Sequence, residues 1–138
     1  MITEYKYRKL RKMVKTAQVA SPVKKLLFCT LRDYKKQGSE PSTGTFGSYT
    51  NLGNHEPRCL IGAAVHDLEV FNDIANRVRV NEDTWESAAQ RVFGVTPDHC
   101  SDIIEGFDSI TNEDDENPFR PENKTQRLAY RLGKELGV

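Results

Sequence analysis

An all-α fold, or a mainly α fold with one short hairpin, is what this 138-residue sequence predicts: about six helices bundled in one domain over 1–138. Three observations carry the expectation. Apolar residues recur at three- and four-residue spacing along most of the chain. Ser21-Pro22 and Thr96-Pro97 pair a side-chain cap with a residue pre-set for the first helical turn. Glycines stand just past the ends of the periodic segments, where a left-handed residue closes a helix.

The first element runs from Thr3 to Val19, with Thr3 as N-cap and Glu4 at the positive end of the helix dipole. Its apolar stripe is read as Tyr5, Leu10, Met13, Val14 and Ala17, surrounded by Lys6, Arg8, Lys9, Arg11, Lys12 and Lys15. The second runs from Ser21-Pro22 to Lys36, burying Val23, Leu26, Leu27, Thr30, Leu31 and Tyr34, with Gly38 as its left-handed cap. Residues 37–57 are rich in Gly, Ser and Thr and read as a long loop, with Thr45 to Leu52 as the place for the short hairpin. Pro57 precedes a helix over Cys59–Leu68, which the spacing of Leu68, Phe71, Ala75 and Val78 extends toward Val80. A further helix covers Asp83–Phe93, capped by Asn81 or Asp83, presenting Trp85, Ala88, Ala89 and Val92 and stopped by Gly94. Thr96-Pro97 opens a helix whose inner face is Cys100, Ile103, Ile104, Phe107 and Ile110. An acidic linker at 111–121 leads to a last helix over Glu122–Leu136 with Leu128, Leu132 and Leu136 inside.

Composition narrows the function classes. No apolar run approaches the ~20 residues of a membrane span. The charged opening from Met1 to Lys15 is unlike a secretory leader. Three scattered cysteines, Cys29, Cys59 and Cys100, suit reduced thiols better than a disulfide framework, so a cytoplasmic location, bacterial or host, is expected. The net charge of zero conceals a division. Residues 1–36 hold eleven Lys and Arg against Glu4 and Asp33 and stand at +9; the remainder holds nine against eighteen and stands at −9. Either the halves neutralise each other inside the fold, which is the reading preferred here, or the basic part meets an anionic partner.

Each chemical candidate has a plainer competitor. Cys59, in the first turn of a helix and next to Arg58, has the surroundings of a thiolate nucleophile, with His55, His66 or His99 as base. The competing and preferred reading is packing: Cys59, Gly62 and Ala63 make a small-residue strip that lets another helix approach. Zinc is rejected because Cys59 and His66 are seven positions apart, about 10 Å along a helix. Calcium is rejected for Asp108–Glu116, where Ile110 and Glu113 occupy positions that need an oxygen ligand and a glycine. No metal or cofactor is expected. Lys6, Arg8, Lys9, Arg11, Lys12 and Lys15 could grip phosphates, although a charged helical face is more often only solvated.

The order of features resembles a plan shared by many small phage and actinobacterial proteins that have no established activity. A helix ends in an aromatic-x-x-Gln-Gly-like corner (Tyr34–Gly38), a glycine-rich loop leads to Pro57, and a helix opens Cys-Xaa-Xaa-Gly-Ala (Cys59–Ala63). A Phe-Gly-Val stop (Phe93–Val95), an Ile104–Asp108 segment and a final helix over Thr125–Leu136 follow; Phe107-Asp108 stands where the plan has Asn-Asp. The resemblance implies a phage-like helical domain and transfers no catalytic residue. The leading expectation is a non-enzymatic interaction protein, an accessory factor of a phage or mobile element with a protein partner in the host. The alternatives are a cysteine-dependent hydrolase or transferase centred on Cys59, and a nucleic-acid binder using the basic N-terminal helices. The packing reading predicts that Ala63→Leu overfills a helix contact and lowers the urea midpoint, at a cost of about 1–3 kcal/mol.

Overall fold

The computed structural model describes residues 2–37 and 60–136, which form seven helices and no strand. They are α1 (Glu4–Thr16), α2 (Ser21–Gln37), α3 (Leu60–His66), α4 (Phe71–Arg79), α5 (Trp85–Phe93), α6 (Pro97–Asn112) and α7 (Lys124–Leu136). The expected hairpin, the long loop and the Gly38 cap fall outside the described residues.

Local chemistry sets most boundaries. Thr3, Thr84 and Thr96 each accept a backbone N–H three residues on, closing the starts of α1, α5 and α6. Pro97 sits in the first turn of α6, and Gly94 closes α5 at φ 76°. The α5 cap is Thr84 rather than Asn81 or Asp83; Asp83 instead accepts from the Thr84 amide and from Arg91, which hold its carboxyl below the usual range against the opposing effect of burial. The helix expected to continue from Cys59 through Val80 is two helices, separated by turns at 67–70. Asp67, the first residue past α3, turns its carboxylate back to Arg32 and Lys36 of α2.

The core has α2 at its centre. Val23, Leu26, Leu27 and Leu31 are fully or almost fully buried, covered by Leu10 and Val14 of α1, by Leu60, Ile61 and Ala64 of α3, and by Trp85 and Ala88 of α5. Buried Thr30 donates to the Leu60 carbonyl at 2.7 Å, tying α2 to the first turn of α3. Of the strip Cys59, Gly62 and Ala63, Gly62 and Ala63 are buried and Ala63 lies against Ile2 and Tyr34, while Cys59 is outside the described residues. On α1 the stripe differs from expectation. Tyr5 is 80% exposed, while Tyr7 packs on the core. Five positions separate Tyr5 from Leu10, about 140° around a helix, whereas Tyr7 at three positions lies on the Leu10 side.

The most extensive helix pair is α6 with α7. Its closest approach is at Gly106, where a β-carbon would overlap the Gln126 carbonyl oxygen and reach the Ala129 Cβ at 3.0 Å. Gln126, itself buried, sends its amide to Glu105 at 2.8 Å and Asp102 at 3.2 Å. Gly106→Ala should therefore destabilise. Helix propensity favours alanine by up to about 1 kcal/mol, but a backbone shift in a packed interface costs about 1–3 kcal/mol. A lower urea midpoint with an unchanged slope is the expected result.

Candidate functional site

Two regions concentrate chemistry. The first is the junction of α2 with α3. Arg32 and Lys36 are one turn apart on α2, and both donate to Asp67, at 2.8 and 2.9 Å. The Asp67 carboxylate is only 1% exposed, and its hydrogen bond keeps Arg32 above the ordinary guanidinium value. Arg32 also reaches Cys29 Sγ at 3.4 Å, yet burial outweighs that cation and pushes the Cys29 thiol up. One residue along, buried Asp33 lies 2.8 Å from His66 Nδ1. The His66 ring meets Phe71 edge-on at 4.7 Å, and Phe71 stacks on Trp85 at 5.6 Å. A carboxylate that orients an imidazole is half of a base mechanism. Cys59 and His55 of that scheme lie outside the described residues.

The second region is a cationic face built from the two ends of the chain. Helices α1 and α7 run antiparallel: Lys124 donates to Gln18 at one end, and Leu136 packs into the cluster of Ile2 at the other. A groove of about 530 Å³ lies between them. Met13, Ala17 and Leu128 supply its apolar floor; Lys9 and Lys12 stand on one rim, Lys124, Arg127 and Arg131 on the other, and among the described residues no carboxylate lines it. A second concavity of about 490 Å³, between α1 and α2, is lined by Arg11, Lys24, Lys25 and Arg32, with the Arg11 guanidinium 5.3 Å from the Phe28 ring centre.

Internal neutralisation of the two halves is therefore limited among the described residues. Glu4 takes Arg8 and Lys35, and Asp67 takes Arg32 and Lys36. Lys6, Lys9, Arg11, Lys12, Lys15, Lys24 and Lys25 make no ion pair there, and Lys24 donates instead to the Lys15 carbonyl. Three acidic residues of the later segments pair with cations of those same segments: Asp73 with Arg77, Asp83 with Arg91, and Glu113 with Lys134.

Of the basic candidates, Lys9 and Lys12 line the first groove and Arg11 the second, Arg8 is paired, and Lys6 and Lys15 line neither. The contribution of α7 was missed by reading α1 alone. Its signal is the 3,4 spacing of Lys124, Arg127 and Arg131 on the polar side of the last helix. Among the described residues no three His, Cys, Asp or Glu side chains group as a metal site, and no helix is long and apolar enough to cross a membrane. No family model, curated protein or solved structure matches this chain.

The thiols give a direct prediction. Burial raises Cys100 to about 11, leaving roughly one part in ten thousand as thiolate at pH 7. Cys29 and Cys100 should resist iodoacetamide at neutral pH until the chain is unfolded in denaturant. The raised Cys100 value favours the folded state below the ordinary 9.0, and that contribution is lost as pH rises from 9 through about 11. Mass spectrometry of the labelled peptides reads both thiols, and rapid selective labelling of Cys59 would favour the hydrolase alternative.

Proposed function

We propose that this chain is a non-enzymatic interaction protein whose partner is a nucleic acid, held through its phosphates by the α1–α7 groove. The observation that carries the reading is the five cations around one concavity, with no carboxylate among the described residues that line it. Like charges so placed repel, weakly in physiological salt where the screening length is about 8 Å. A partner bearing regularly spaced anions relieves that repulsion and releases its own counterions. An ordinary solvated helical face does not account for the arrangement, because the cations come from helices at opposite ends of the sequence and converge on one groove.

The reading predicts a steep salt dependence. If all five cations meet phosphates, the slope of log K against log salt is about −3.5 for a single strand or −4.5 for a duplex. Lys9→Glu with Lys12→Glu, or Arg127→Glu with Arg131→Glu, should abolish binding at physiological salt, while Arg79→Glu on α4 should leave it intact. Anisotropy titrations of dye-labelled oligonucleotides across a salt series measure both effects. Binding indifferent to the double substitutions, or to salt, refutes the assignment.

A further inference from the structure

Tyr5 is the most exposed large apolar side chain on α1, and neither the core nor the groove floor uses it. It begins a continuous stripe: Tyr5, Lys9, Lys12 and Thr16 follow at four, three and four positions and share one side of the helix. The last three line the groove. Opposite, Arg131 is the last α7 cation that lines the groove; Lys134, in the next turn, is paired with Glu113. The groove lining is thus cationic, and one turn beyond Lys9 on the same side of α1 the helix offers an exposed phenol ring.

We infer that the groove binds a single strand, with the phosphates against Lys9, Lys12, Arg127 and Arg131 and a base stacked on Tyr5. The inference rests on the nucleic-acid reading and deepens it. A single strand presents both surfaces this site complements, anionic phosphates for the rims and unpaired base faces for the ring and the apolar floor. A duplex keeps its base faces internal and leaves Tyr5 and the floor without a partner. Dimensions agree. Tyr5 to Thr16 covers about 16 Å of helix, the length of about five stacked nucleotides at ~3.4 Å each. Stacking on an exposed aromatic tolerates any base, so the expected specificity is for strandedness and not for sequence.

Four dye-labelled or competing probes decide the matter on the full chain: a 12-nucleotide oligothymidylate, a 12-unit abasic strand with the same phosphates, a 12-base-pair random duplex and an oligoglutamate. The wild type should bind oligothymidylate about 5- to 150-fold more tightly than the abasic strand. Tyr5→Ala should lose that margin while keeping its affinity for the abasic strand and its salt slope; Tyr5→Phe and Tyr5→Trp should retain the margin. Tyr5 is exposed, so these variants fold, and the conserved abasic affinity verifies it. Duplex binding equal to or tighter than single-strand binding, with Tyr5→Ala silent, overturns the single-strand assignment and leaves the phosphate reading standing. Oligoglutamate bound as tightly as any nucleic acid, or no binding by any probe, overturns both.

Discussion

The narrowness of the apolar stripe on α1 governs much of this molecule. Only Leu10 and Val14 of its thirteen helical residues are buried, and the rest of its circumference is largely Lys and Arg. Such a helix gains too little from burial to be sunk in the core. It can only lie along the surface, fixed by a few side chains to α2 and leaving its cations in water. The helix it covers is its opposite, since α2 is walled in by α1, α3 and α5. That contrast between neighbouring helices gives the protein one side that is dry packing and another that is exposed charge.

The charge division looks at first like a device for self-neutralisation. The described contacts distribute it differently. Two carboxylates, Glu4 and Asp67, each engage two cations, and both lie beside α2. Of the cations beyond their reach, Lys9 and Lys12 stand where α7 adds three more. Asp67, almost fully buried, is held where desolvation makes pairing obligatory, whereas exposed cations lose little by remaining unpaired. A zero net charge therefore coexists with a strongly polarised surface.

Much of the helical framework was legible in the sequence because its signals are local. Thr3, Thr96-Pro97 and Gly94 mark helix ends through hydrogen bonds and backbone angles that span only a few residues. The inner face of α2 could be read almost residue for residue from its spacing. What escaped was of two kinds. Tyr5 was placed on the apolar side because it is aromatic, against the helical angle that puts Tyr7 there. The pairing of Asp67 just after His66 and the α6–α7 approach depend on partners distant in sequence, Arg32 and Lys36 for Asp67 and Gln126 for Gly106, which no window over neighbouring residues contains. The cationic groove belongs to the second kind, since half of it lies more than a hundred positions from the other half.

That separation ties the proposed recognition to the integrity of the whole domain. Neither α1 nor α7 owns the groove, and the two are brought side by side only when α2, α5 and α6 are packed between their places in the chain. Unfolding takes the rims apart, so a ligand spanning them binds the native state alone. By mass action it then stabilises every element of the bundle, including those it never touches, by about 2.7 kcal/mol at a hundredfold excess over its dissociation constant. The occupied groove acts as a clasp joining the first helix to the last, and amide protons deep in α2 would exchange more slowly when it is closed.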